Sequence, residues 1–241
     1  MKRPVRIGFL VPPGNPTCEP EMMRLAPPGV TVHFNRMVAS GATGSHVGQE
    51  ERNRQQLAHL EDTVALLALV KPAVIVMGHT ASSYTLGQAA EKELVERIQK
   101  KTGIPFLTAF GSVLKALERL EVKRVALGAP YAYDSMMKSK AYLELHGLQV
   151  PGYGVLENVV NIYDETPERA YGLGRKVDTP DSQAIFLTGV GMPTIDILAR
   201  LEKDAGKPAI SSSSAMMWDA LRTAGVQDRI EGYGRLLSQG D

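Results

Sequence analysis

The sequence predicts an α/β protein made of two pseudo-symmetric lobes, each a parallel sheet flanked by helices, with a cleft between the lobes. Short β-branched runs alternate with longer stretches that carry apolar residues at three- and four-residue spacing. Such alternation is typical of parallel sheets joined by right-handed crossovers. Most of the short runs are continuously apolar, as in sheets covered on both faces. In addition, one strand-helix-strand-helix unit occurs twice along the chain.

The predicted strands are short runs rich in Val, Ile, Leu and Phe, namely Val5 to Val11, Val30 to Phe34, Ala73 to Met77, Phe106 to Phe110, Arg124 to Leu127, Ala184 to Thr188 and Ala209 to Ser212. The predicted helices share a helical apolar period; they are Gln49 to Leu69, Leu86 to Lys101, Ser112 to Leu120, Ser135 to His146, Thr194 to Asp204 and Ala215 to Ala224. Because ligands bind beyond the carboxyl ends of parallel strands, the loops after these strands are expected to form the site.

The repeat is clearest in two segments, VMGHTASSYTLG at residues 76–87 and IFLTGVGMPTID at residues 185–196. Each reads as the end of a buried strand followed by a glycine, Gly78 in the first copy and Gly189 in the second. A helix, a Gly-x-Pro turn and a hydroxyl-ended strand then follow in both copies. We therefore treat the two glycines as equivalent positions and expect them to face one cleft from opposite lobes.

The repeat also predicts how the chain is divided. Residues 1–115 are assigned to an N-terminal lobe and residues 116–211 to a C-terminal lobe. No linker rich in Gly, Ser or Pro separates the two copies, so the chain is expected to exchange between lobes near Pro105 to Leu127. The C-terminal segment 212–241 is expected to return to the first lobe.

Charge and composition exclude several classes of function. The chain carries 27 Lys and Arg against 26 Asp and Glu and has no basic cluster with interleaved aromatics, so no nucleic-acid partner is expected. The single cysteine, Cys18, excludes an internal disulfide and suits a reducing cytoplasm. No metal site is assigned, because metal-ligand spacing is missing from the remaining histidines outside the repeated loop, which are His33, His46, His59 and His146.

The N-terminal apolar run is interrupted by Pro12 and Pro13 after only a few residues. It is too short for a signal sequence or a membrane-spanning helix. We therefore predict a soluble cytoplasmic protein with no membrane partner, and a homo-oligomer is possible because the sequence does not determine the oligomeric state.

Two sets of motifs resemble known enzymes. The segment VPPGNPTCEPE, residues 11–21, is similar to the first-strand signature of maleate cis-trans isomerases. The Pro12-Pro13 pair and the segments SSSSAMMWDALRTAG and GYGRLL resemble arylmalonate decarboxylases. Both groups belong to the aspartate/glutamate racemase superfamily. The resemblance implies a two-lobed α/β fold with an active-site cleft, chemistry without a cofactor, and a small carboxylic-acid substrate.

The same resemblance implies roles for particular residues. Asn15 would hold a substrate carboxylate, and Tyr131 would donate its phenol to the same or to a second carboxylate. The second amide ligand would be Asn158 by local motif or Asn161 by its spacing from Tyr131. His79 stands where decarboxylases place a donor to an enediolate. The further substrate contacts implied are Pro13, Thr80, Val190 and Gly191.

The chain departs from these relatives in its thiols. The resemblance places cysteines of racemases and isomerases at Gly78 and Gly189, and the single cysteine of decarboxylases at Gly189. The function predicted is a cofactor-free enzyme acting through an enediolate or carbanion, most like an arylmalonate-type decarboxylase, with His79 as a proton carrier whose pKa lies near the working pH. The alternatives are an isomerase or hydrolase that uses His79 or Cys18, and a carboxylate-binding paralogue without catalysis.

Each assignment has a structural alternative. Asn15 is also a good helix cap, and Tyr131 suits an edge aromatic whose hydroxyl bonds the backbone. The alternative for His79 is a structural role in its strand-end loop. The serine run 211–214 suits a cap for the last long helix as well as a pocket wall. A catalytic role for Cys18 is disfavoured, because it lies in the first turn of a helix, where the family has an ordinary apolar or small residue.

Overall fold

A computed structural model describes residues 3–239 and contains two four-stranded parallel sheets. The first sheet is formed by β1 (Val5–Val11), β2 (Val30–Arg36), β3 (Val74–Met77) and β4 (Phe106–Thr108), in the order β2-β1-β3-β4. The second is formed by β5 (Val125–Ala129), β6 (Tyr153–Val155), β7 (Ala184–Leu187) and β8 (Ala209–Ser211), in the order β6-β5-β7-β8. The two orders are the same when the strands are counted from the start of each half, so the predicted pseudo-symmetry is confirmed.

The helices cover both faces of the sheets, which explains the continuously apolar strands. They are α1 (Cys18–Leu25), α2 (Gln49–Ala58), α3 (Leu60–Ala68), α4 (Ala81–Leu86), α5 (Gln88–Thr102), α6 (Ala109–Arg119), α7 (Tyr133–Leu145), α8 (Pro167–Val177), α9 (Ile195–Ala205), α10 (Ser212–Thr223) and α11 (Arg235–Ser238). A 3-10 turn spans Ile162–Asp164. Within residues 3–239, no helix has the length and apolar character needed to cross a bilayer.

Two predicted helices are wrong as single elements. The stretch Gln49 to Leu69 is divided into α2 and α3 at His59, whose ψ of 11° departs from helical values. The stretch that begins at Leu86 contains the end of α4, and Gly87 with φ +79° separates it from α5. Because only glycine adopts such a φ at little cost, the break is encoded at that residue. The short edge strand β6 and helices α4, α8 and α11 were not predicted.

Hydroxyl side chains decide where the strands end. Thr108 caps α6 by accepting a hydrogen bond from the Gly111 amide at 3.0 Å. Ser211 caps α10 in the same way from the Ser214 amide at 3.2 Å, and the Ser214 hydroxyl accepts from the Ser211 amide at 2.9 Å. These caps begin each helix directly after its strand. The strands predicted to begin at Phe106 and Ala209 were therefore too long at their C-terminal ends. The capping alternative for Ser211 and Ser214 is therefore what the structure shows.

The two halves also share the turns between helix and strand. Gly103 and Gly206 end α5 and α9 with φ values of +68° and +71°. The Gln99 side chain accepts a hydrogen bond from the Phe106 amide at 3.2 Å, and the Glu202 carboxylate accepts one from the Ala209 amide at 3.0 Å. The side chains of Gln99 and Glu202 thus each join the last turns of a helix to the strand that follows. The internal repeat extends to individual hydrogen bonds.

The halves are joined by helix packing and by polar contacts. Helix α10 follows β8 of the second sheet and packs against α6, α1 and β3. Arg24 of α1 forms a bidentate ion pair with Asp196 of α9. The buried Glu21 carboxylate accepts from the amides of Thr194 and Ile195 at 2.7 and 3.1 Å. Helix α1 therefore holds the start of α9 and the loop that precedes it.

Candidate functional site

A small pocket lies between the strand-end loops of the two sheets. Its volume is about 40 Å³ for the centres of water-sized atoms, so it admits only a compact ligand. The predicted site residues that line it are Pro13, Asn15, His79, Tyr131, Val190 and Gly191. The structure thus brings together residues from the loops after β1, β3, β5 and β7.

Asn15 is buried and makes contacts on both sides of the pocket. Its Oδ1 accepts from the amides of Thr17 and Cys18 at 2.8 and 2.9 Å, which caps α1. Its Nδ2 donates to the Val190 carbonyl at 2.9 Å. Because the carboxamide has two N–H donors, one remains without a partner among residues 3–239. Asn15 is therefore both a cap, as its structural alternative predicted, and a potential donor to a ligand.

The strand register shows that Gly78 and Gly189 are not equivalent positions. In the first sheet Leu10 is paired with Met77, and in the second Gly128 is paired with Leu187. The next amide continues each ladder: Gly78 donates to Leu10 at 2.8 Å, and Thr188 donates to Gly128 at 2.9 Å. The counterpart of Gly78 is thus Thr188, and the prediction of equivalence is wrong by one residue.

Gly189 lies against the Tyr131 hydroxyl. Its φ is +94°, and a Cβ added there would lie 2.5 Å from the Tyr131 hydroxyl oxygen. Its amide donates to Ser212 Oγ at 3.1 Å. Burial, followed by the neighbouring Tyr84 and Tyr163, raises the pKa of Tyr131 well above its ordinary value. The phenol is therefore neutral and occupies the space that a side chain at Gly189 would need.

Gly78 lies against backbone instead. A Cβ there would be 2.8 Å from the Leu10 carbonyl oxygen and 3.8 Å from Cys18 Sγ. Burial raises the pKa of the Cys18 thiol far above its ordinary value, with smaller contributions from Glu21 and Glu19. Cys18 is thus a protonated, fully buried thiol. It lies behind the site and does not line the pocket.

Thr80 connects the loops of the two sheets. Its hydroxyl donates to Ser212 Oγ at 3.2 Å, and the same oxygen accepts from the Gly189 amide. Thr80 is fully buried and lies outside the pocket lining. The structure therefore assigns it to the contact between the loops, although the prediction placed it against the substrate.

His79 lines the pocket as a neutral ring. Its Nδ1 lies 2.8 Å from Ser82 Oγ, which leaves Nε2 for a ligand. Burial lowers the pKa of His79 from its ordinary value to about 4. This lowered pKa runs against the expectation of a pKa near the working pH, because the surrounding residues bury most of the imidazole. At neutral pH the ring can donate or accept a hydrogen bond without carrying a charge.

The two candidate amides after β6 differ in position. Asn158 is exposed and has a φ of +54°. Asn161 accepts from the Tyr163 amide at 3.0 Å and starts the 3-10 turn. Ile162 and Tyr163 line the pocket, whereas neither asparagine does. Asn161 directly precedes these lining residues and Asn158 lies on the surface, so a substrate contact by either asparagine stays a prediction.

Helix α2 supplies four pocket residues that the sequence analysis missed. They are polar, and they follow each other at three- and four-residue spacing: Gln49, Arg52, Asn53 and Gln56. The available signal was this polar stripe itself, which is usually the solvated face of a helix. Here that stripe faces the pocket. Burial lowers the pKa of Arg52, but an arginine remains charged at neutral pH.

Residues 39–48, which we name the strap, connect β2 to α2 and contact the second half of the chain. The Gly44 carbonyl accepts from the Ile162 amide at 3.0 Å. His46 Nε2 donates to the Pro130 carbonyl at 3.0 Å. Thr43, Gly44, Ser45 and His46 line the pocket. The strap therefore forms a wall of the pocket that is bonded to both halves.

The electrostatics of the pocket favour an anion. Within residues 3–239, its lining contains Arg52 and neutral donors but no Asp or Glu. The same part of the chain holds no group of three or more His, Cys, Asp or Glu side chains that could hold a metal. A carboxylate ligand would meet donors from both sheets and from α2.

Comparison with known proteins identifies the family. The family model described as arylmalonate decarboxylase matches residues 7–237. The chain belongs to the arylmalonate decarboxylase family. The arylmalonate decarboxylase of Bordetella bronchiseptica is 30% identical to it over 97% of this chain and 96% of the relative. Members of this family and its maleate isomerase relatives are enzymes.

Solved structures of two related enzymes share this fold. A crystal structure of arylmalonate decarboxylase matches with a TM-score of 0.80 and 27% identity, covering 96% of this chain and 98% of the other. A cysteine-to-serine variant of the Nocardia farcinica maleate cis-trans isomerase, described with a covalently bound succinylcysteine intermediate, matches with a TM-score of 0.88 and 25% identity over 98% of this chain and 99% of the other. Both kinds of relative therefore share the fold over nearly the whole chain.

Proposed function

We propose that this protein is a cofactor-free enzyme that acts on a small carboxylic acid through an enediolate, with decarboxylation as its reaction. The observation that carries the proposal is the pocket itself, which presents neutral donors and one arginine and no carboxylate side chain within residues 3–239. Such a pocket favours negative charge on its ligand. The family supports small carboxylic acids as the substrate class.

The proposed reaction breaks one carbon–carbon bond and needs no thiol. The carboxylate that departs leaves as carbon dioxide, and its bonding pair of electrons passes to the remaining carboxylate, which becomes an enediolate. The Tyr131 phenol, the free N–H of Asn15 and the His79 Nε2–H are the donors proposed to stabilise the growing charge. Donors fixed in advance are commonly the largest contribution to catalysis.

The final step returns a proton to carbon. The His79 imidazole, whose pKa burial lowers to about 4, carries no extra proton at neutral pH. We therefore assign proton delivery to the Tyr131 hydroxyl, the group closest to the vacant side-chain direction of Gly189. The tyrosinate then regains a proton from water. This revises the sequence-based assignment, in which His79 carried the proton.

A thiol-dependent isomerisation is less well supported. The succinylcysteine described for the Nocardia farcinica enzyme requires a reactive cysteine. The one cysteine here is buried, and burial raises the pKa of its thiol, so little thiolate forms at neutral pH. A reaction relocated to His79 and a protein that only binds carboxylates remain the two alternatives to be tested.

Proton NMR in deuterated water distinguishes these possibilities. The purified protein is incubated separately with maleate and with malonates that carry different side groups, an aryl group among them; arylmalonate and maleate are the compounds for which its relatives are named. We expect loss of carbon dioxide from malonates, with one deuterium at the carbon that lost it, and no conversion of maleate. Calorimetric binding of these acids without exchange or carbon dioxide release would identify a binding protein instead. Maleate conversion that requires Cys18 would overturn the thiol-free mechanism.

A further inference from the structure

Helix α2 buries its polar face. Arg52, Asn53 and Gln56 are exposed by only 8%, 4% and 4%, and all three line the pocket. Helices of globular proteins normally bury an apolar stripe, and buried polar groups are costly unless they are bonded. Because these buried polar side chains face the pocket, we infer that they bond a polar group of the ligand.

The Arg52 guanidinium lacks an acidic partner. Its Nη1 donates to the Val47 carbonyl at 2.6 Å, and its Nη2 donates to the Ser45 carbonyl. The acids beside it on α2 are engaged elsewhere, since Glu50 pairs with Arg54 and Lys138 and Glu51 pairs with Arg54. Across residues 3–239, no carboxylate forms an ion pair with Arg52.

Unused hydrogen-bonding groups remain on this face. A guanidinium has five N–H donors, and the two carbonyls account for two of those on Arg52. Gln56 Oε1 is buried without a hydrogen-bond partner among the described residues. An arginine binds a carboxylate through two parallel hydrogen bonds. A flip of the Gln56 carboxamide presents its NH2 donors in place of the oxygen. The free donors of Arg52 and the Gln56 carboxamide therefore both indicate a polar ligand group on this side of the pocket.

We propose that Arg52 determines substrate specificity by binding a second carboxylate that takes no part in the reaction. The substrate class is then a compact acid whose side group carries its own carboxylate, in place of an apolar or aromatic group. This inference rests on the proposed function for the chemistry at the other end of the pocket. The carboxylate on Arg52 keeps its charge throughout. An ion pair to the departing carboxylate would stabilise the substrate and be lost in the transition state.

Arg52 also ties this carboxylate to the strap. Its two carbonyl partners, Ser45 and Val47, belong to the strap, and Ser45 lines the same pocket. A ligand carboxylate on the remaining donors would therefore contact the group that holds the strap in place. Removing the guanidinium removes both interactions.

The test compares ligands of the same shape and different charge. Succinate and isocaproate differ by one carboxylate replaced by an isopropyl group, and calorimetry measures the affinity of each. We expect wild-type protein to bind succinate roughly 10- to 100-fold more tightly, the range for charged hydrogen bonds. Arg52→Gln should lose this preference and Arg52→Lys should keep part of it. Arg54→Gln is the matched control, because Arg54 lies on the exposed side of the same helix.

The outcomes separate this inference from the proposed function. Equal affinity for the two ligands, or an Arg52→Gln variant that weakens both equally while its thermal unfolding midpoint is unchanged, overturns the role of Arg52. Suppose that the succinate preference depends on Arg52 but the protein neither exchanges nor decarboxylates malonates. The role of Arg52 in binding is then supported, and the proposed enzymatic function is wrong. Turnover should follow the same order, with carboxymethylmalonate preferred to isobutylmalonate only when Arg52 is present. If wild-type protein converts both malonates at equal rates, the proposed enzymatic function stands and the proposed specificity role of Arg52 is wrong.

Discussion

The loops after β3 and β7 begin alike and then differ. Gly78 and Thr188 each continue the strand ladder with one amide hydrogen bond. At the next residue the first loop places the His79 ring in the pocket, whereas the second has Gly189 with a φ of +94° and the Tyr131 hydroxyl in its side-chain direction. One loop contributes a side chain of its own. The other contributes a gap that a residue from a different loop fills.

The comparison shows that the two glycines are required for different reasons. At Gly78 a side chain would collide with a backbone carbonyl of the neighbouring strand. At Gly189 it would meet both an unfavourable φ and a buried phenol. A side chain at Gly78 would therefore require a shift of backbone, whereas one at Gly189 would require a shift of the Tyr131 ring.

The largest expected effect tests which loop supplies the proton. Tyr131→Phe should lower turnover by roughly 10³, because it removes both a donor to the enediolate and the proposed proton source. His79→Ala should lower it by roughly 10², as expected for the loss of one fixed donor. Steady-state kinetics on the substrate identified by NMR measures both.

The control for this pair is Cys18→Ala, which should keep most of the activity. The pH profile of turnover should show no ionisation of His79 near neutrality, since its pKa is about 4. If His79→Ala lowers turnover much more than Tyr131→Phe does, then His79, and not Tyr131, delivers the proton. If Cys18→Ala abolishes turnover, the essential catalytic group is the Cys18 thiol, and the roles assigned to Tyr131 and His79 are wrong.

The next effect concerns the stability cost of filling each gap. Gly189→Ala should lower the free energy of unfolding by roughly 2 to 4 kcal/mol, because a non-glycine residue in this region costs about 1 to 2 kcal/mol and overpacking adds a similar amount. Gly78→Ala has only the steric cause and should lose roughly 1 to 3 kcal/mol. Denaturant unfolding of both variants gives these values.

A double variant checks the cause at Gly189. In a Tyr131→Phe background the nearest colliding atom is absent, so part of the Gly189→Ala loss should disappear, and the coupling is read from a double-mutant cycle. Additive losses would mean that the phenol does not fill the side-chain direction of Gly189.

The smallest effect concerns the contact between Glu21 of α1 and the amides at the start of α9. Burial, the largest cause, raises the pKa of Glu21 above 4.5, so the folded protein binds a proton that the unfolded chain has already released. Its stability contribution is therefore present below pH 4.5 and is lost as pH rises through the folded pKa. Glu21→Gln keeps the acceptor for Thr194 and Ile195 and has no such loss. The stability of this variant relative to wild type should increase with pH.

This prediction is checked by denaturant unfolding at several pH values between about 5 and 8. A pH-independent difference between the two proteins would show that the Glu21 carboxyl titrates as an exposed group does. A large loss of stability in Glu21→Gln at every pH would mean that the charge itself holds the start of α9.

Local signals were sufficient for most of the fold. The bounds of β1 were predicted as Val5 to Val11 and observed there, because a mostly apolar run, interrupted by Arg6 and Gly8 and ended by Pro12, is typical of a buried strand. The repeat predicted two similar sheets. Element ends were less predictable, since whether Thr108 and Ser211 belong to a strand or cap a helix depends on where the following amides point.

The sequence by itself determined the two-lobed α/β architecture, the loops that meet in the cleft, and the family resemblance, from which roles for Asn15 and Tyr131 were inferred. Only the tertiary structure decided what those residues do. The polar stripe of α2 became a pocket wall because the strap and the second sheet enclose it, and the low pKa of His79 follows from burial by distant segments. Periodicity records which residues share a face; the charge state and the partners of that face depend on what the rest of the chain packs against it.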